Sequence, residues 1–379
     1  MIALCAAGLA LATWVYMLLF RGDFWLARER DDVNEPSADP AAWPSVTAVV
    51  PARDEADVVV RSVGSLLAQD YPGAFRVILV DDNSSDGTAD AARAAAGSRH
   101  TLEILTGAPL VAGWTGKLWA VRQGVEAAGG APDYLLLTDA DIAHDVGNLR
   151  ALVRRAEAGG LVLTSLMARL CTQTWAERML IPAFVLFFQM LYPFALVNRG
   201  KAAAAAGGCM LVRREALAAA GGIESIRTAI IDDCALAARM ATQGPIWLGL
   251  TQRAVSLRPY ARFGDIGAMV SRSAYAQLNF SPWLLAGTVM GMALVYLTGP
   301  LAAVFGDGWS RWLGLGAWAA MIIAFQPMLR YYRASPLWGV ALPLIGLIYT
   351  AFTVASALQF AAGRGGQWKG RAQAIAGSS

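Results

Sequence analysis

Two carboxylates, Asp139 and Asp141, stand one residue apart at the end of the apolar run Leu135-Leu136-Leu137-Thr138. Successive side chains of a strand point to opposite faces, so an extended D-x-D aims both carboxylates the same way. At the carboxyl end of a buried parallel strand, that is where open α/β sheets bind ligands. Hard divalent cations such as Mg²⁺ or Mn²⁺ seek such oxygens and share them with substrate phosphates. An isolated D-x-D can equally be a strand end followed by a solvated turn, so its meaning depends on what else reaches the same edge.

Two further acidic clusters do. Ser45–Val50 is a β-rich run stopped by Pro51 and followed by Arg53-Asp54-Glu55. Phe75–Val80 runs into Asp81-Asp82-Asn83-Ser84-Ser85-Asp86-Gly87. Tyr134–Leu137 leads into the D-x-D. Helical spacing at Val59, Val63, Leu66 and Leu67, an alanine-rich stretch through Ala96, and a helix over Thr115–Ala128 alternate with these strands and with a short one at Leu102–Leu105. Such alternation means βαβ units, and right-handed crossovers put every post-strand loop on one edge. The expected fold is α/β, with a Rossmann-like, mostly parallel sheet. Three acidic clusters on one edge repel one another unless cations and a polyphosphate share the space.

Composition places this domain in a membrane protein. The chain has 379 residues, 56% hydrophobic and 16% charged, against roughly 45–50% and about 25% in ordinary soluble domains. Residues 1–20 carry no charge, nor do the stretches from about Pro282 to Phe305, Leu313 to Leu329 and Leu337 to Phe360. A bilayer core takes about 20 apolar residues as helix. The expectation is one amino-terminal transmembrane anchor (1–20), a proline-rich linker (21–44), a catalytic domain (45–275), about three carboxy-terminal membrane helices (282–362) and a basic tail (363–379). The first segment lacks the basic start of a signal peptide and exceeds its usual apolar length, which favours a retained anchor. Leu180–Val197 is also apolar, but two prolines and Gln189 interrupt it. It is read as a helix lying in the membrane interface within the catalytic domain, at 178–197.

Basic residues flank the domain: Arg21, Arg28 and Arg30 before it, and Arg253, Arg258, Arg262 and Arg272 towards its end. The positive-inside rule turns it to the cytoplasm, at a bacterial-type inner membrane. The side of the tail stays open. A net charge of +3 argues against nucleic acid as a partner. Cys5, Cys171, Cys209 and Cys234 are scattered, with no zinc-type spacing. His144, three residues past the D-x-D, is either an aid to the metal or a plain surface histidine.

The set Val50–Glu55 (V-P-A-R-D-E), Val80–Thr88 (V-D-D-N-S-S-D-G-T), Asp139–Asp141 (D-A-D) and Ile231–Asp233 (I-D-D) resembles family 2 glycosyltransferases of the GT-A fold. The likeness covers roughly residues 45–275. Gly113–Trp119, Gly207–Val212 and Ser256–Tyr260 look closer still to hopene-associated glycosyltransferases. This resemblance implies a donor site in which Pro51, Ala52, Arg53 and Glu55 hold the nucleotide, Glu55 accepting from ribose hydroxyls and Asp82 from the base. It implies a divalent metal, Mg²⁺ or Mn²⁺, on Asp141, with Asp139 touching ribose or a metal-bound water. Lys117 and Arg272 would contact phosphate. Asp233 would be the general base, while the role of its neighbour Asp232 stays open. Asp54, where many relatives carry Asn, is a charge without a stated role.

The activity implied is inverting transfer of a sugar from a nucleotide diphosphate, UDP preferred, to a hydroxyl of a membrane lipid, for which the resemblance suggests a hopanoid. Alternatives are a polyprenyl-phosphate sugar synthase, whose phosphate acceptor needs no base, and a non-catalytic nucleotide-binding membrane scaffold.

Overall fold

The computed structural model describes residues 1–33, 35–97, 101–363, 367–368 and 371–372. The basic tail expected at 363–379 lies almost wholly outside the described residues, as does His100. The chain forms two compact units. One is helical and comprises residues 1–28, 172–195 and 260–363; the other is built on a sheet from residues 29–171 and 196–259.

The sheet has eight strands: β1 (Val46–Ala52), β2 (Phe75–Asp81), β3 (Leu102–Thr106), β4 (Tyr134–Thr138), β5 (Ile142–His144), β6 (Leu163–Arg169), β7 (Cys209–Arg213) and β8 (Ile246–Ser256). Their order is β3-β2-β1-β4-β7-β6-β8-β5. β3, β2, β1 and β4 are mutually parallel, with Ala52 opposite Asp81 and Val49 opposite Leu137. That register brings the ends of β1, β2 and β4 to one edge. β7 runs antiparallel to both β4 and β6, and β5 antiparallel to β8. The sheet is therefore a GT-A-type Rossmann-like mixed sheet, parallel in the half whose βαβ alternation is plain in the sequence.

β1 is buried along its whole length, as a central strand covered on both faces must be. Val59, Val63 and Leu66 line one face of helix Val59–Leu67 and are fully buried with Val50, Leu79 and Leu136. Helix Gly116–Ala128 packs on the other face. A β-carbon at Gly124 would lie 2.4 Å from a Val49 methyl carbon, so only glycine permits this approach.

Residues expected as a loose linker are partly built into the sheet unit. Arg30 bridges to Leu250, Leu250 N–H donates to Glu29 O (2.8 Å), and Asp31 is buried beside Thr251. Backbone groups next to an unpaired strand segment gain partners this way.

The helical unit contains helices Ile2–Phe20, Trp175–Leu191, Phe263–Ser271, Pro282–Phe305 (interrupted by a π-helical turn at Ala293–Leu297), Gly308–Tyr331 and Leu342–Ala361. Among the described residues, five segments, including Trp175–Asn198, are long and apolar enough to cross a membrane. Residues 172–195 and those from Tyr260 onward group with the long helices. The Tyr349 hydroxyl donates to Leu180 O (2.9 Å), and Arg21 donates to Met190 O and Leu191 O at the end of helix Trp175–Leu191. Glu177, fully buried, closes a capping box with Thr174 and accepts from the N–H of Tyr260. At the π turn, Trp14 Nε1 donates to Val295 O (2.9 Å). A π turn leaves a carbonyl outside the regular i→i+4 ladder, and the first helix supplies its donor.

Candidate active site

The D-x-D is not extended. β4 ends at Thr138, and Ile142 N–H donates to Asp139 O (3.2 Å), closing a turn over Asp139–Ile142. The two carboxylates consequently meet different cations. Lys117 Nζ lies 2.9 Å from Asp139 Oδ1 and 3.0 Å from Asp232 Oδ2. The Arg258 guanidinium pairs with Glu55 and reaches Asp141, its Nε 3.4 Å from Oδ2. Two carboxylate–cation–carboxylate bridges, Glu55–Arg258–Asp141 and Asp139–Lys117–Asp232, thus meet at the D-x-D. Four carboxylates share two cations, leaving a net −2 before Asp233 is counted.

Lys117 is set by its helix start. Thr115 caps helix Gly116–Ala128 by accepting from Leu118 N–H (3.4 Å), and its own N–H donates to Arg227 O. Burial alone would lower the Lys117 pKa, but the carboxylates of Asp139 and Asp232 outweigh it and hold the ammonium firmly protonated. The phosphate contact expected of Lys117 therefore competes with two carboxylates.

Asp232 and Asp233 open helix Asp232–Met240, where first-turn N–H groups favour negative charge. Asp233 is held by backbone on both oxygens: Oδ2 accepts from Gly207 N–H (2.9 Å) and Oδ1 from Cys234 N–H (2.8 Å). Burial, then the neighbouring Asp232 carboxylate, push its pKa up to about 6, against the pull of Lys117. Such a carboxylate is ionised at neutral pH yet basic enough to take a proton. Burial and Asp139 likewise raise Asp141, more than Arg258 lowers it.

Where β1 and β2 end, Asp82 N–H donates to Ala52 O (2.8 Å), and the Asp82 side chain is buried with Arg53 3.7 Å away. Glu55 N–H donates to Thr88 Oγ1 (2.8 Å). Asp54 now has a structural role: its Oδ1 accepts from Ser85 N–H (2.8 Å) and its N–H donates to Ser84 Oγ, stitching the loops after β1 and β2 together. Pro51 lines a cleft with Lys117, Asp139, Gly207, Met210 and Asp232. Arg272 belongs to the helical unit, where it is exposed at the end of helix Phe263–Ser271.

The surface reading of His144 is overturned. It is buried, its Nε2 3.0 Å from Thr138 Oγ1 and its Nδ1 2.9 Å from Asn148 Nδ2. Thr138 Oγ1 in turn donates to Gly208 O (2.8 Å). The network assigns a neutral ring that accepts at Nδ1 and donates at Nε2. Burial lowers its pKa to about 4, so it stays neutral at physiological pH. With both nitrogens engaged, it braces the β4 turn and the Gly207-Gly208 loop.

Arg258 is the functional candidate that sequence reasoning missed. It stood in a basic cluster and in the Ser256–Tyr260 stretch without a role, because the β5–β8 pairing that carries it to Asp141 joins segments more than 100 residues apart. Among the described residues, no three histidines, cysteines or carboxylates group as a metal cage. The donor set that does exist, carboxylate oxygens from Asp139 and Asp141, suits Mg²⁺ or Mn²⁺ of the kind that completes its shell with phosphate and water.

Residues 47–221 match the Glycosyl transferase family 2 model. Among solved structures, the chain is similar to mannosyltransferase PcManGT from Pyrobaculum calidifontis, in complex with GDP-Man and Mn²⁺: 20% identity, 94% of this chain and 98% of that one covered, TM-score 0.56. It also matches glucosyl-3-phosphoglycerate synthase from Mycobacterium tuberculosis, in complex with Mn²⁺, UDP-glucose and glycerol 3-phosphate, at 17% identity over 62% of this chain and 79% of that one, TM-score 0.42. No curated protein matches the chain.

Proposed function

We propose that this protein is an inverting glycosyltransferase that moves a sugar from a nucleotide-diphosphate donor to a hydroxyl of a membrane lipid. The observation that carries this reading is Asp233. It is a single carboxylate raised to about 6, fixed by two backbone N–H groups, and joined through the Asp232–Lys117–Asp139 bridge to the D-x-D. One base suffices for single displacement; a retaining mechanism would call for a second carboxylate as nucleophile. Asp233 takes the acceptor hydroxyl proton as the oxygen attacks the anomeric carbon. Glu55, Arg53 and Asp82 form the nucleotide side, and Lys117 and Arg258 are the cations available to the diphosphate. Asp141 with Asp139 would hold Mg²⁺ or Mn²⁺, which when bound supplies positive charge against the leaving diphosphate.

The five apolar helices support a lipid acceptor, and the motif likeness points to a hopanoid among lipids. UDP-sugars are the first donors to test; GDP-mannose joins them because PcManGT binds it. The test is turnover of a panel of UDP- and GDP-sugars with total membrane lipid, followed by mass analysis of the lipids. Glycosylated lipid should form, stop with chelator, and stop with Asp141→Ala. Asp233→Asn should lose several hundredfold. Retention of most activity by that variant would point to a phosphate acceptor, and donor binding with no turnover would sink the enzyme reading.

A further inference from the structure

We propose that Arg258 is a resident counter-cation that competes with the divalent metal for Asp141, so that the site takes up metal and nucleotide diphosphate together. The inference rests on the reading of Asp139 and Asp141 as the metal pair. The arginine is built into its place. Ile142 pairs with Ser256 across β5 and β8, Leu257 N–H donates to Asp141 O (2.7 Å), and Arg258 N–H donates to Ser256 Oγ (3.3 Å). Its guanidinium then lies between Glu55 and Asp141, both largely shielded from solvent, at 10% and 23% side-chain exposure.

A guanidinium and a divalent ion on one shielded carboxylate repel each other strongly. The metal alone therefore meets an occupied ligand. A diphosphate changes the balance, because guanidinium pairs with phosphate oxygens in the same two-pronged way as with carboxylates. Arg258 can exchange Glu55 and Asp141 for the donor's phosphates, which frees Asp141 for the ion. Lys117 is placed differently: it holds Asp139 to Asp232 and leaves Asp141 to the arginine.

The test is binding, on the full chain in detergent, with turnover not needed. Free Mn²⁺ is titrated without nucleotide by electron paramagnetic resonance, and UDP and GDP by calorimetry with saturating Mn²⁺. Arg258→Ala should bind Mn²⁺ alone at least tenfold tighter than the unmodified protein, and nucleotide at least tenfold weaker. Arg258→Lys, which keeps a cation, should gain less Mn²⁺ affinity than Arg258→Ala. An arginine that merely supports the fold of the site would weaken both ligands on removal; that result, or unchanged Mn²⁺ affinity, overturns the proposal. If Arg258→Ala does not fold by thermal melt, Arg258→Gln is read against Arg258→Lys by the same criteria. Asp141→Asn, made alone and with each arginine variant, separates the two readings. Mn²⁺ binding that survives it refutes the metal assignment itself. Binding lost with Asp141→Asn but indifferent to Arg258 refutes only the competition.

Discussion

The pKa of about 6 at Asp233 makes the acid limb of the pH–rate profile a direct test of the base. kcat/KM follows the free enzyme, and the reactive form is the carboxylate. With a midpoint near 6, about one-eleventh of Asp233 is ionised at pH 5 and about ten-elevenths at pH 7, a tenfold difference in rate. An ordinary carboxyl would be more than nine-tenths ionised at both, and the rate would barely change. Two neighbours should move the midpoint in opposite directions. Asp232 raises Asp233 and Lys117 lowers it, so Asp232→Asn should shift the limb below 6 and Lys117→Met above it.

The sign extends to stability. The folded-state value lies above the unfolded one, so the stabilisation is complete below the unfolded pKa and is lost as pH rises through about 6. Melting temperature should therefore fall between pH 4 and pH 7 more steeply in the unmodified protein than in Asp233→Asn. The assay is initial-rate kinetics at subsaturating donor over pH 4.5–8 in constant ionic strength. A flat profile down to pH 5, or shifts of the same sign in the two variants, would refute the assignment.

Three further outcomes follow from packing. Gly124→Val forces side-chain carbon into Val49, 2.4 Å from where a first β-carbon would sit, and should cost about 1–3 kcal/mol or more, seen as a lower melting temperature. His144→Phe leaves Thr138 and Asn148 without their ring partner and should cost about 1–3 kcal/mol, while Mn²⁺ affinity stays within about twofold; loss of metal binding would restore a ligand role. Trp14→Phe keeps an aromatic ring but removes the indole N–H donor to Val295 O together with part of a buried side chain, for a loss of at least about 1–3 kcal/mol in detergent melts.

The parallel half of the sheet was legible because each of its strands is a short apolar run closed by polar residues. Val46–Ala52, Phe75–Asp81 and Tyr134–Thr138 could be placed, with their acidic loops, on one edge. β6, β7 and β8 were not: β7 runs antiparallel between β4 and β6, and helices of uneven length separate the strands after residue 150, so no regular βαβ spacing marks them. The same gap hid Arg258, whose partners Glu55 and Asp141 depend on β8 pairing with β5. His144 misled for another reason. A polar residue after a turn looks solvated, and only the side chains of Thr138 and Asn148 reveal that its polar needs are met inside. Lys117 was marked by its helix-start position, but its two carboxylate partners come from Asp139 and from Asp232, 115 positions later, contacts that local spacing does not encode.

The hydrogen bond between Trp14 and Val295 spans 281 positions, and this has a consequence for synthesis. At about 5–20 residues per second, helix Ile2–Phe20 emerges roughly 15–60 s before the carbonyl it will serve. During that interval its indole N–H has no Val295 carbonyl to meet. The earliest of these helices to be made thus waits for a partner in the fourth quarter of the chain, and its seating reports that residues through the π turn have arrived.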